Sequence, residues 1–364
     1  MSRIQLNEQL YILIKRRISN KEYPSGTQLP PEVKFARQLK VSRNTLRSVM
    51  RRLEEEQLVV RIPSKGTFVM PYWEGEQQYD KRFLVLCQRD TNYYYPCHYI
   101  LPGMAREAAV RGCKLEICDL SLLSSYTPAE LHDFLSSTHI SGIIIIASNF
   151  VPGDRLIELI NTQKIPVCQV HGRPEDYNFT NWALLYCNTR GGWMEALRYL
   201  ASQGHQQVVV TNFQNPIGEV RRYPREDFFN LLKELSLDNS GHLLVDFPPY
   251  DHDALKARLL TIFSRSRKRP TAVLCFSDHQ APVVYDVLKT LNLNIPQDVA
   301  VMGFCGIPDS KYMHPALSTV DLNYQSLGAK AIDIMLEADN WYPQQRPLIE
   351  HEFTLLERAS TSRQ

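Results

Sequence analysis

"VSRNTLRSVMRRLEEEQLVV", residues 41–60, has a clear helical period and an awkward charge order. Leu46, Val49, Met50 and Leu53 recur at i, i+3, i+4 and i+7, one apolar stripe of an amphipathic helix. Ser42 is a natural N-cap, with Val41 and Leu46 in hydrophobic-staple positions around it. Arg43 and Arg47 then stand where the helix macrodipole is positive and disfavours cations, by about 0.3–1 kcal/mol each. Glu54, Glu55 and Glu56 occupy the opposite, equally unsuitable end. A helix charged in this sense suits a partner that supplies the missing negative charge at its N-terminus.

The flanking sequence gives this helix companions. Residues 6–19 put Leu6, Leu10, Leu13, Ile14 and Ile18 on one helical face. "LPPEVKFARQL", residues 29–39, opens with prolines suited to a helix start and then offers Phe35, Ala36 and Leu39 for burial. A short turn, "KVS", separates it from the helix that follows. Downstream, "LVVRI" and "TFVM" flank "PSKG", which predicts a β-hairpin with Lys65 and Gly66 at its tip. Two helices joined by a tight turn, the second with Arg43, Thr45 and Arg47 off its buried stripe, followed by a hairpin, are the elements of a winged helix-turn-helix. A recognition helix aims its N-terminal residues at base edges and phosphates, and DNA supplies the negative charge. The glutamates lie at the far end, away from the phosphates, where they disfavour docking in the reverse orientation.

Charge along the chain agrees with that reading. Residues 1–70 hold 14 Lys and Arg against 6 Asp and Glu, whereas the rest holds 27 against 33, although the whole chain is only +2. A basic head on a mildly acidic body points to a polyanion-binding module joined to something else. At 364 residues the chain exceeds a usual single domain. No run of apolar residues is long enough to span a membrane, and the N-terminus shows no secretion signal, so a cytoplasmic protein is expected. The eight cysteines are scattered without a CxxC pair, which predicts reduced thiols, no metal site and no cofactor.

The head resembles the DNA-binding domain of GntR-type bacterial regulators. The matching marks are Gly26, Leu29-Pro30-Pro31-Glu32, Ser42-Arg43-Asn44-Thr45-Leu46-Arg47 and Lys65-Gly66-Thr67-Phe68. The resemblance implies that Ser42, Arg43, Thr45 and Arg47 meet the major groove, and that Lys65 and Gly66 reach the minor groove or backbone. Two positions depart from the pattern: Val33 follows the glutamate where many relatives carry Arg or Lys, and Ser64 replaces the first wing glycine.

From Phe83 onward, apolar runs such as "FLVLC", "GIIIIA", "QVVVT", "TAVLCF" and "VAVMGF" alternate with helix-length segments. Residues 281–291 carry one such helical face through Val283, Val284, Val287, Leu288 and Leu291. This alternation predicts parallel sheet with helical crossovers, and the length suggests two lobes. The fold class is therefore α/β: a winged helix-turn-helix at 1–70, a polar linker at 71–80, and a two-lobed parallel α/β domain at 81–364. Residues 269–320, with Cys187-Asn188, Gly204-His205 and the closing "LLERAST", make the body similar to the effector domain of LacI/GalR-type repressors, itself like periplasmic sugar-binding proteins. A GntR-type head on such a body resembles the arabinose-responsive sub-family of regulators.

That resemblance implies a ligand cleft between two lobes, at the C-terminal ends of the strands. Tyr93 and Tyr94, with Tyr95, lie after the first strand; Arg222, or Arg221 beside it, matches a ligand-clamping arginine; Phe247 matches a stacking aromatic, although the ring suits a core equally; Ser277 and Asp278 follow "TAVLCF". Aromatic faces with planar polar groups fit a sugar. Relatives often carry "GFDD" where this chain has Gly303-Phe304-Cys305-Gly306, so the effector should differ from the commonest hexoses. Ser277-Asp278-His279 is contiguous and forms no catalytic relay by itself, and no nucleotide-binding fingerprint is present, so no catalytic residues are expected. The expectation is a ligand-responsive regulator, a repressor of carbohydrate-metabolism genes, that binds a near-palindromic operator as a homodimer. A cytoplasmic sugar-binding protein without a transcriptional role is the alternative.

Overall fold

The computed structural model describes residues 3–19, 22–23, 27–56, 58–62, 66–69, 81–87, 96–146, 150–213, 225–241, 243–248, 251–265 and 269–362. The expected linker at 71–80 lies outside them. The chain divides into two compact units, Met1–Tyr79 and Asp80–Gln364.

The first unit contains helices α1 (Arg3–Ser19), α2 (Glu32–Gln38) and α3 (Arg43–Glu55), then strands β1 (Val59–Ile62) and β2 (Gly66–Val69). The stripe of α3 is wholly buried and meets Leu10, Ile14 and Ile18 of α1 and Phe35 and Ala36 of α2. Leu13, expected on the same face of α1, is 40% exposed, and Tyr11 takes its place in the core. β1 and β2 pair antiparallel, Val59 opposite Val69. The segment before α2 adds an edge that the sequence did not suggest. Leu29 N–H donates to the Thr67 carbonyl at 2.8 Å, and Val69 N–H to the Thr27 carbonyl at 2.9 Å.

The second unit is two lobes. The first begins with β3 (Arg82–Cys87), α4 (Cys97–Val110), β4 (Lys114–Asp119), α5 (Pro128–Ser137), β5 (Gly142–Ile146), α6 (Arg155–Asn161), β6 (Val167–Val170), α7 (Tyr177–Thr180) and β7 (Ala183–Cys187). The chain then crosses into the second lobe: α8 (Thr189–Ser202), β8 (Val208–Phe213), α9 (Arg225–Glu234), β9 (Leu244–Phe247), α10 (His252–Arg265), β10 (Ala272–Leu274), α11 (Ala281–Thr290), β11 (Ala300–Cys305) and β12 (Ser318–Asp321). It returns to the first through α12 (Tyr324–Leu336), α13 (Ala338–Trp341) and β13 (Leu348–His351), and crosses back at β14 (Thr354–Leu356).

The two sheets have orders β4-β3-β5-β6-β7-β13 and β9-β8-β10-β11-β12-β14. Every pairing in them is parallel except β12 with β14. β5 shows why the sheets are covered on both faces: Ile143, Ile144, Ile145 and Ile146 alternate sides, yet all four are buried. Each such side chain contributes roughly 1.5–3 kcal/mol of burial. One hydrophobic cluster runs from β3 and α4 in the first lobe to β10 and β11 in the second, and separate clusters cover the outer face of each sheet. Helices α4 and α12 cross so closely that a Cβ on Gly103 would lie 1.9 Å from the Gln325 carbonyl oxygen, and one on Gly328 2.2 Å from that of Ile100. The last three strands, β12, β13 and β14, are short, and the sequence reading did not find them.

Candidate functional site

In the head, the N-terminus of α3 is built as its sequence implies. Ser42 Oγ accepts the Thr45 N–H at 3.1 Å, a working N-cap. Arg43 and Arg47 are exposed beside it. Thr45 departs from expectation. It is 6% exposed, and its hydroxyl lies 2.8 Å from Ser42 Oγ, so it braces the cap instead of standing out from the surface. Gly66 opens β2 at φ +118°, where a Cβ would stand 2.5 Å from Gln28 Nε2. Lys65 and Gly26 lie outside the described residues.

The charge order of α3 finds a partial answer inside the head. Glu56 binds Lys15 Nζ at 3.0 Å and Arg52 Nε at 3.3 Å, and accepts the Tyr11 hydroxyl. The Tyr11 and Lys15 bonds hold its carboxyl below the usual range. Glu56 thus ties α3 to α1, whereas Arg43 and Arg47 remain on the surface.

In the body, both strand orders reverse direction at one place, between β3 and β5 and between β8 and β10. Connections leaving those strands diverge to opposite faces of the sheet, and the crevice they leave is where ligands bind in open α/β sheets. All of the expected effector residues except Phe247, which ends β9, map onto the connections that leave these strands. Tyr93 and Tyr94, with Tyr95, follow β3; Arg222, with Arg221, follows β8; all lie outside the described residues. Ser277 and Asp278 follow β10.

Ser277 is buried and caps the short turn 278–280. Its Oγ accepts the His279 N–H at 3.3 Å, and its own N–H donates to Gln280 Oε1 at 2.6 Å. Asp278 is 1% exposed. Its Oδ1 accepts the Thr319 hydroxyl at 2.6 Å, and its Oδ2 accepts the Ile307 N–H at 2.8 Å. Burial pushes its carboxyl up to about 7, against the pull of these hydrogen bonds. The residue at 303 must be glycine, since a Cβ there would lie 1.9 Å from Asp278 Oδ1. Expected as a ligand acceptor, Asp278 instead spends both oxygens joining the ends of β10, β11 and β12. Phe247 is likewise turned inward. At 2% exposure it packs in the outer cluster of the second lobe with Leu243, Val245, Leu255 and Leu259, and presents no open face for stacking.

Other side chains, not singled out in the sequence, stand at the strand ends. Tyr99 at the start of α4 reaches across the lobes, its hydroxyl 3.3 Å from His279 Nε2. Its ring stacks on Tyr324 at 6.0 Å, and Tyr324 meets His171 edge-on at 5.4 Å. Burial pushes His279 down to about 4, so the imidazole is neutral. At the ends of β8 and β9, Asn212 Nδ2 donates to Asp246 Oδ1 at 2.7 Å. The signal for most of them was position: His171, Asn212, Asp246, His279 and Tyr324 each follow or close an apolar strand, whereas Tyr99 lies in the first turn of α4. Cys305 and Gly306, at the site of the relatives' acidic pair, have φ of +103° and +70°. A Cβ at Gly306 would meet Asp321 Oδ1 at 2.4 Å, so an aspartate does not fit there.

The head matches the family described as "Bacterial regulatory proteins, gntR family" over residues 6–69, and the body matches "Periplasmic binding protein-like domain" over residues 197–361. The "HTH-type transcriptional repressor PurR" of Actinobacillus pleuropneumoniae serotype 3 is 27% identical over 209 residues, 56% of this chain and 59% of that protein. The chain therefore spans less than two thirds of the length of this relative. A regulatory protein of the LacI family from Chloroflexus aggregans has the same fold, with a TM-score of 0.63 at 20% identity over 77% of this chain and 98% of that one. A LacI family transcriptional regulator from Enterococcus faecium with bound ribose gives 0.57 at 19% identity over 78% and 99%. Among the described residues no helix is long and apolar enough to cross a membrane.

Proposed function

We propose that this chain, a GntR-type winged head on a LacI/GalR-like two-lobed body, is a ligand-responsive DNA-binding regulator that represses carbohydrate-metabolism genes. The observation that carries the reading is the capped, exposed Arg43 and Arg47 end of α3, on a chain whose second unit has two α/β lobes meeting at their strand ends. The matched relative is named a repressor, and a similar structure holds ribose. The first supports repression, and the second supports a small sugar-like effector. In this reading Arg43 and Arg47 read the major groove, Ser42 and Thr45 hold the helix end that presents them, and Lys65 and Gly66 contact the backbone or minor groove. Tyr93, Tyr94, Arg222 and Ser277 face the effector, joined by Tyr99, His279 and the Asn212–Asp246 pair. Asp278 and Phe247 position the walls.

One winged head reads too few bases for operator specificity, so the regulator acts as a homodimer on a near-palindrome in the cytoplasm. Effector binding draws the lobes together and changes the spacing of the paired heads. The direct test is a gel-shift assay of the full chain with DNA from upstream of its own gene, repeated with pentoses, hexoses and polyols. Selective binding weakened by one of these sugars is expected. A protein that binds a sugar but no duplex selectively would be a binding protein without a transcriptional role.

A further inference from the structure

Two arginines from different elements of the head share one carboxylate. Glu32 is the first residue of α2. Its Oε2 accepts from Arg47 Nη2 at 3.1 Å and from Arg47 Nε at 3.4 Å, while its Oε1 accepts from Arg61 Nη2 at 2.8 Å. Arg47 lies on α3 and Arg61 on β1, so one side chain joins the recognition helix to the wing. β1 is held in turn by α3, where Glu54 Oε1 accepts the Arg61 backbone N–H at 3.3 Å. The three side chains are 58%, 45% and 24% exposed for Arg47, Arg61 and Glu32. Ion pairs this exposed contribute little to stability, so the cluster is not explained by folding.

Its consequence is geometric. Arginine has a long flexible stem, and a carboxylate that takes one guanidinium on each oxygen biases both stems toward one arrangement before DNA arrives. Each guanidinium has five N–H donors, and most remain for a base edge or a phosphate. The cluster also retains a net positive charge.

We infer that Glu32 is a positioning residue of the DNA site, one that presents Arg47 and Arg61 as a single two-cation unit. Its own negative charge penalises contact with phosphate where Arg47 has no base to bond, so it lowers general affinity and raises selectivity. The inference rests on the reading of the head as a DNA-binding module.

The experiment compares full-length wild type with E32Q, E32D and R61A on two duplexes of equal length, one the upstream duplex selected by gel shift and one scrambled, over a range of salt. Circular dichroism checks that each variant is folded. E32Q should bind the scrambled duplex about threefold more tightly and its own site several-fold more weakly. E32D keeps the charge but shortens the reach, so it should lose selectivity without gaining general affinity. R61A should lower the salt slope by about one unit. If E32Q tightens both duplexes equally, Glu32 is only a repelling charge and the inference is overturned. It is also overturned if E32Q and E32D keep wild-type selectivity. A wild-type chain that prefers no duplex would instead remove the DNA-binding reading, and this inference with it.

Discussion

The head exposes the two arginines that its sequence marks out for function, whereas the body buries several of the side chains marked out in it. In the head, Arg43 and Arg47 stand exposed at the end of α3, and the apolar stripe behind them is buried. In the body, Phe247, Ser277 and Asp278 sit at the expected addresses but are buried, and Asp278 serves other strand ends. A surface that meets a polyanion needs exposed cations on a firm scaffold, and one helix face presents them, Arg43 outright and Arg47 while Glu32 still holds it. A cleft for a small ligand needs walls of fixed shape, and part of its polar inventory goes into holding the walls.

That contrast can be broken most strongly at Phe247. Phe247→Ala should destabilise the body by about 3–5 kcal/mol through the cavity it leaves, read as a fall in the body's melting temperature. An unchanged melting temperature with effector binding lost would make the ring a stacking surface after all. Arg47→Ala should act in the other manner, weakening operator binding by roughly 1–3 kcal/mol while the head melts as before. A head that unfolds would show Arg47 to be structural and erase the contrast.

The third measurement uses pH. Asp278 has its folded pKa raised to about 7, so between its ordinary value and 7 the folded state holds the extra proton and stability falls as pH rises. His279 has its folded pKa lowered to about 4, so between 4 and its ordinary value the unfolded state holds the extra proton and stability rises with pH. These neighbours oppose each other. Relative to wild type, His279→Gln should make stability fall more steeply over this window, and Asp278→Asn should make it rise more steeply. Parallel curves for all three proteins would mean that neither group is held as buried. The smallest effect is expected from Tyr99→Phe, which loses one hydrogen bond between the lobes, worth about 0.5–1.5 kcal/mol. Its signature is altered effector affinity with DNA affinity in the absence of effector unchanged.

What the sequence made legible divides along the same line. The head is local: a 3.6-residue stripe, a Ser42 cap and a hairpin are each written within twenty residues, and they locate Arg43 and Arg47 without reference to distant segments. The body's long strands were equally clear, because a short β-branched run such as "GIIIIA", opened by a glycine, suits a strand covered on both faces. β12, β13 and β14 were not, since each is three or four residues long and held by pairings with remote strands. The cleft was legible only as addresses. That Asp278 faces Thr319 and Ile307, or that Tyr99 meets His279 some 180 residues away, depends on tertiary geometry that no periodicity encodes. Glu32 was visible as a motif residue, but its link to Arg61 depends on how α2 and the wing pack.

The central claim is that one unit reads DNA and the other reports a small ligand to it. It is tested most directly by reciprocal linkage on the full chain. Operator affinity is measured with and without a saturating sugar identified by thermal shift, and affinity for that sugar is measured with and without operator. The account predicts that each ligand weakens the other by the same factor, within the roughly 5–150-fold range of allosteric coupling. Affinities that do not depend on each other, with both ligands bound, would contradict it.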